Sequence, residues 1–222
     1  MHEILIATHL TDDSLALLHD APDVKAVAIT PATPVLRDML ATAAAVISRD
    51  DVALDKALLA REISPDLKVI ARVGASVSGV DGEAATARGV IVMNTPGANA
   101  IAAGEHTLTL MLALSRRLVS AHNNLREGYW LLDRKRQAGT QLSGKTLGLI
   151  GLGRVGTVVA QRALAFQMTV LAFDPYVSDD QIADERVQLV GLKELLSRSD
   201  YVSLHVPLTQ ETRGMVDEEF LH

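Results

Sequence analysis

Two doubly wound α/β domains in tandem are the fold class this sequence predicts, and three observations predict it. Short apolar runs alternate with amphipathic stretches over residues 3–93, the alternation begins afresh at residue 146, and a glycine-rich turn joins strand to helix at residues 151–156. Such alternation gives parallel strands linked by crossover helices that cover the sheet. Composition agrees: 48% of the chain is hydrophobic, yet there are only three Phe, three Tyr and one Trp. The core is therefore built from Ala, Val, Leu and Ile, as buried parallel strands require.

In the first half, residues 3–7, 24–29, 44–47, 67–73 and 90–93 read as strands. Between them, Asp12, Asp13 and Ser14 are placed to cap a helix carrying Leu15, Leu17 and Leu18. Thr33 before Pro34 reads as an N-cap followed by proline at the first helical position. Asp50 and Asp51 open a segment whose Val52, Leu54, Leu58 and Leu59 have helical spacing. The turn cluster at Asn94, Thr95, Pro96 and Gly97 divides the chain, giving expected domains of residues 1–97 and 98–222. Residues 101–120 then read as one long helix. Its middle is apolar on most sides, so it should be buried from several directions.

The second half has strands at residues 146–150, 169–173, 187–190 and 201–206, with helical stretches at 155–166, near 179–185 and at 192–197. A full dinucleotide-binding fold has six strands, so the second domain reads as truncated. Residues 201–206 would then form a bare apolar edge strand.

Several function classes are disfavoured. The net charge is −6, and the only cationic run, Arg134-Lys135-Arg136, reads as a solvated face, so no nucleic-acid partner is expected. The chain has no Cys, which removes disulfides and thiolate chemistry and suits a cytoplasmic location. No secretory leader is expected at the start, and the apolar stretch near residues 108–114 is too short to span a bilayer. The His residues lack metal-ligand spacing, so no metal is expected.

Gly151-Leu152-Gly153-Arg154-Val155-Gly156 has the pattern G-x-G-x-x-G, and its context gives it weight. It follows an apolar strand and opens a helix. Gly151 permits the tight turn, Gly153 lets the backbone approach a pyrophosphate, and Gly156 allows close packing. The N–H groups of Arg154 and Val155 then meet phosphate at the positive end of the helix dipole. Asp174 ends the next strand, 18 residues after Gly156. There its carboxylate would accept hydrogen bonds from the adenosine ribose and repel a 2′-phosphate, which favours NAD over NADP. Asp174 before Pro175 also fits a simple turn. His205 falls at the end of the fourth strand and, taken alone, reads as structural. Glu105 and His106 are adjacent and do not face one another on a helix.

Three blocks carry a family resemblance. The first runs from Leu142-Ser143-Gly144-Lys145 through the glycine turn to Phe173-Asp174-Pro175-Tyr176. The second is Asn94-Thr95-Pro96-Gly97-Ala98-Asn99-Ala100, with Gly104-Glu105-His106-Thr107 after it. The third is Ser199-Asp200-Tyr201 through His205-Val206-Pro207-Leu208-Thr209. From about residue 67 onward the chain resembles the D-isomer-specific 2-hydroxyacid dehydrogenases, closest in pattern to the members that oxidise 3-phosphoglycerate. The resemblance implies a flavodoxin-like substrate domain, then a doubly wound Rossmann domain binding NAD, in a homodimer built on the long helix and the arm near Trp130. It places Arg154, Val155 and Asp174 on NAD, His205, Val206 and Pro207 around its adenosine, and Thr107 near its pyrophosphate or nicotinamide side. Arg49 would face the substrate, and Ala75 and Ser76 would offer backbone N–H groups to its carboxylate, an anion-binding arrangement.

Two departures stand out. An Asp-Asn pair usual in the substrate loop is Ser78-Gly79 here. The family's Arg, Glu and His that clamp the substrate and exchange its proton come after the equivalent of His222, so residues 1–222 are expected to lack catalytic groups and turnover. Glyoxylate or hydroxypyruvate reduction, and a non-catalytic dimeric NAD-binding module, are the competing readings. Formate dehydrogenases share the scaffold but are less similar over residues 98–126.

Overall fold

The structure is a computed structural model and describes residues 1–30, 33–129 and 138–221. The chain divides into two compact units, Met1–Asn99 and Ala100–His222.

In the first unit, strands β1 (His2–Ala7), β2 (Val24–Ala28), β3 (Ala43–Ser48), β4 (Val69–Arg72) and β5 (Ile91–Asn94) form one sheet in the order β2-β1-β3-β4-β5. Every pairing is parallel. This is the flavodoxin-like order, with its reversal at β1 and β3. Leu5, Val46 and Ile70 are fully buried at the sheet centre. They pack with Leu36 and Leu40 of helix α2 (Thr33–Leu40) and Ala85 of α3 (Gly82–Arg88).

Two local expectations are corrected. Helix α1 (Asp12–His19) is capped by Thr11, whose hydroxyl accepts from the Ser14 N–H, so the acids Asp12 and Asp13 occupy the first turn instead of capping it. Acids there favour the positive end of the helix dipole. No helix forms after Asp50-Asp51. Leu54 makes a parallel bridge with Val80, donating to the Gly79 carbonyl at 2.7 Å and accepting from the Asp81 N–H at 3.0 Å. Pairing with a distant segment takes the backbone groups a helix would need. Val52, Leu54, Leu58 and Leu59 still reach the core, through successive turns.

In the second unit, β6 (Thr146–Ile150), β7 (Thr169–Phe173), β8 (Val187–Leu189) and β9 (Tyr201–Leu204) form a parallel sheet in the order β8-β7-β6-β9. β6 lies in the middle, with Leu147, Leu149 and Ile150 buried. Among the described residues β9 is an edge strand, and its Val202 and Leu204 are exposed. The stretch near 179–185 is helical only as a short 3₁₀ turn at Asp179–Gln181.

The expected single helix over 101–120 is two: α4 (Ala100–Ser115) and α5 (Leu118–Arg126). The break has a visible cause. The Ser115 carbonyl accepts from the Thr140 N–H at 2.8 Å, and Arg117 turns left-handed with φ 50°. The returning chain crosses so closely that a Cβ on Gly139 would sit 2.3 Å from that carbonyl. Only one stripe of α4 is buried: Ala100, Gly104, Leu108, Met111 and Ser115. Gly104 lets it press on α6 (Arg154–Ala165), since a Cβ there would lie 2.4 Å from the Val158 side chain. The other face stays open, with Ile101 59%, Leu110 57% and Leu114 73% exposed. Within the second unit the helix is therefore buried along one stripe only, and its other face is the one expected to pack between domains or against a second copy of the chain. Trp130 and the Arg134–Lys135–Arg136 run lie outside the described residues. No described helix is long and apolar enough to cross a membrane.

Candidate functional site

The glycine turn begins where β6 ends. Gly151 has φ 95°, a left-handed conformation that side chains disfavour. A Cβ on it would also lie 2.6 Å from the His205 carbonyl oxygen and 3.0 Å from Val206. The segment after β9 is thus packed directly on the turn. Gly156 is more constrained still, since its Cβ would lie 2.1 Å from the Gly151 carbonyl oxygen. Gly153 is the opposite case: a Cβ there would meet nothing within 4 Å. It is the N-cap of α6 and has no side chain to cap with. The N–H groups of Arg154, Val155 and Gly156 make no hydrogen bond among the described residues. A helix N-terminus with free N–H groups and an open approach fits a pyrophosphate.

Asp174 follows β7 and is held toward this turn. Its Oδ2 accepts from the Leu152 N–H at 2.8 Å, and its Oδ1 accepts from the Tyr176 N–H at 3.0 Å. The second bond is a side-chain turn closing on Pro175, so the turn reading of Asp174 is also realised. Each oxygen keeps lone-pair capacity for a further donor such as a ribose hydroxyl. His205 is half-buried, and its Nε2 lies 3.0 Å from the Ser203 hydroxyl. Burial pushes its imidazole below the ordinary value. The Pro207 carbonyl accepts from the Thr212 hydroxyl at 2.6 Å, which ties down the loop. The structure therefore brings Gly151, Gly156, His205 and Val206 together, with Asp174 bonded to the same turn. Thr107 lies inside α4, and its hydroxyl donates to the Ala103 carbonyl at 2.9 Å.

In the first unit, a cavity of about 700 Å³ opens at the carboxyl ends of β1, β2 and β3. Thr8, His9, Thr30, Arg49, Asp50 and Asp51 line it. Ligands of open parallel sheets bind at this end. The exposed Arg49 guanidinium has no partner among the described residues. After β4, Gly74 turns with φ 138° and is pinned from both sides by Thr95. The Gly74 N–H donates to the Thr95 hydroxyl and its carbonyl accepts from the Thr95 N–H, both at 3.0 Å. The Ala75 carbonyl accepts from Asn94 Nδ2 at 2.8 Å. The Ala75 and Ser76 N–H groups have no acceptor among the described residues.

The most buried charge of the unit does not stand out in the sequence. Arg72 ends β4 and is 1% exposed. Its signal was an arginine inside an otherwise apolar strand, followed by three glycines in the next ten residues. Asn94 and Thr95, read in the sequence as turn residues and as part of a family block, also fix the loop opposite.

The family model for the D-isomer specific 2-hydroxyacid dehydrogenase NAD binding domain matches residues 108–222. Over 218 residues the chain is 42% identical to D-3-phosphoglycerate dehydrogenase of Mycobacterium tuberculosis, covering 98% of this chain and 40% of that protein. It is 39% identical to the enzyme of the same name from Methanocaldococcus jannaschii, covering 99% of this chain and 41% of that one. The chain thus spans about 40% of the length of these curated relatives. Among solved structures, the TT0316 protein from Thermus thermophilus superposes with a TM-score of 0.86 at 33% identity, over 99% of this chain and 69% of that one. D-lactate dehydrogenase from Aquifex aeolicus, complexed with NAD and lactic acid, superposes with a TM-score of 0.80 at 27% identity, over 99% and 65% of the two chains.

Proposed function

We propose, because the chain belongs to the D-isomer specific 2-hydroxyacid dehydrogenase family, that the whole protein moves a hydride between NAD and a D-2-hydroxyacid. The observation that carries this reading is the glycine turn with its free N–H groups and the Asp174 carboxylate bonded to it. When bound, NAD supplies a nicotinamide that accepts or donates the hydride. The chain's own residues bind and orient. The Arg154 and Val155 N–H groups take the pyrophosphate, Asp174 takes the ribose hydroxyls, and His205, Val206 and Pro207 border the adenosine. Thr107 stands on the pyrophosphate or nicotinamide side. In the first unit, the Ala75 and Ser76 N–H groups take the substrate carboxylate, and Arg49 meets a second anionic group. Proton exchange falls to groups outside residues 1–222.

The substrate we favour is 3-phosphoglycerate, oxidised at the entry to serine biosynthesis, because curated relatives at 42% and 39% identity are named D-3-phosphoglycerate dehydrogenase. Glyoxylate or hydroxypyruvate is the alternative, and the Ser78-Gly79 departure in the loop favours testing it. The exposed apolar face of α4 supports a homodimer. Absence of Cys suits the cytoplasm. The test is NADH formation with 3-phosphoglycerate against NADH consumption with hydroxypyruvate and glyoxylate, on the whole protein and on residues 1–222. We expect the whole protein to turn over one of them and residues 1–222 to bind NAD without turnover. Turnover by residues 1–222 near 1 s⁻¹, roughly the lower ordinary range of enzymes, would place a proton-transfer base such as His205 or His106 within them.

A further inference from the structure

We propose that Arg72 is a positioning residue, one that holds the loop over residues 74–79 in the shape in which Ala75 and Ser76 present their N–H groups. The proposal rests on the reading of that loop as the site of the substrate carboxylate. One guanidinium joins three pieces of chain. The two N–H groups of its Nη1 are shared among the Ser48 hydroxyl at 2.8 Å, the Val52 carbonyl at 2.9 Å and the Arg49 carbonyl. Its Nη2 donates to the Ser78 carbonyl at the far end of the loop. Arg72 therefore sets the backbone of Arg49 and the exit of the loop together. A planar fork with donors in fixed directions does this where an ammonium could not.

The rest of the loop completes the logic. The Gly74 carbonyl is taken by Thr95, the Ala75 carbonyl by Asn94, the Ser78 carbonyl by Arg72 and the Gly79 carbonyl by the Leu54 N–H. The Ser76 hydroxyl accepts from the Ser78 N–H at 2.9 Å, which closes the middle. With these carbonyls engaged, successive N–H groups are left for an anion, a concavity of the kind that binds carboxylate or phosphate. The Ser78-Gly79 departure then has a physical reason. Gly79 has φ 78°, and a Cβ on it would lie 2.8 Å from Arg72 Nη2 and 3.4 Å from the Asp50 carbonyl oxygen. Space without a side chain at residue 79 is what lets the guanidinium reach Ser78. Burial disfavours the Arg72 charge, and Asp50 and Asp51 offset that by their opposite charge.

The experiment compares the wild-type chain with Arg72→Lys and Gly79→Ala, all ¹⁵N-labelled. Circular dichroism confirms folding, hydrogen exchange reads the loop amides, and titration with glycolate reads the anion site. We expect both variants to keep the sheet spectrum and the slow exchange of the β3 and β4 amides. Exchange of the hydrogen-bonded Gly74 and Ser78 amides should rise by about tenfold or more, and glycolate affinity should fall by roughly tenfold, as loss of charge-assisted hydrogen bonds implies. Should Arg72→Lys not fold, Gly79→Ala, which leaves the arginine in place, decides. Loop exchange at the wild-type rate in a folded variant overturns the proposal. Glycolate that leaves the wild-type Ala75 and Ser76 amides unshifted overturns the carboxylate reading instead, and the exchange comparison still decides whether Arg72 positions the loop.

Discussion

Replacing Asp174 with asparagine separates its two roles. In the wild type both oxygens are engaged, Oδ2 by the Leu152 N–H at 2.8 Å and Oδ1 by the Tyr176 N–H at 3.0 Å. An amide has one oxygen, so one of these N–H groups would face an NH₂ donor. The remaining bond falls from a charged acceptor to a neutral one, roughly 1.5–3 kcal/mol to 0.5–1.5 kcal/mol. The Tyr176 N–H is exposed and can turn to water, so the oxygen should stay with the half-buried Leu152 N–H. The expected loss of stability is then about 1 kcal/mol, near the low end of an orphaned-donor penalty. Cofactor binding should suffer more. The ribose hydroxyls lose a charged acceptor, and NAD should bind roughly tenfold more weakly. NADP should bind no more weakly than before, because the carboxylate that repels its 2′-phosphate is gone. Calorimetric titration of both dinucleotides against both proteins, with melting curves alongside, gives all these quantities. A variant that melts about as predicted but binds NAD as the wild type does would show that Asp174 is a turn residue only.

Three further outcomes follow from the packing. Leu149, fully buried in the central strand β6, should cost about 2–5 kcal/mol when cut to alanine, seen as a lower midpoint in denaturant unfolding; a loss below about 1 kcal/mol would place the core elsewhere. His205 is held neutral by burial, so the fold binds fewer protons there than the unfolded chain does. Its contribution is present above the ordinary histidine value, near 6.5, and is lost as pH falls through the lower folded value. His205→Asn should therefore flatten the pH dependence of the melting temperature below about pH 6.5, and unchanged curvature would contradict this. Leu114→Lys on the exposed face of α4 should shift a dimer to monomer in sedimentation, while a wild type already monomeric at micromolar concentration would refute the dimer.

Strands were legible because each is a short apolar run bounded by turn residues, and that signal is local. Thr146–Ile150 and Thr169–Phe173 fall where the runs lie. What escaped depends on distant chain. Leu54 and Leu58 have helical spacing, but the bridge to Val80 competes for the backbone. Residues 101–120 carry no Gly or Pro between α4 and α5; the break comes from Thr140 capturing the Ser115 carbonyl. The same holds for the candidate sites. The glycine turn and Asp174 announce themselves because fixed spacing is what a pyrophosphate and a ribose require. Arg72 does not, since its partners at Ser48, Val52 and Ser78 come together only in the folded sheet.

Amide chemical shifts during NAD titration of the labelled chain show whether dinucleotide binds on the turn at residues 151–156 beside Asp174. Saturable shifts are expected at the Gly153, Arg154, Val155 and Gly156 amides, which have open space or free N–H groups to meet a phosphate, with Leu152 following as Asp174 engages the ribose. Saturable binding that leaves those five amides unmoved would contradict binding on this turn.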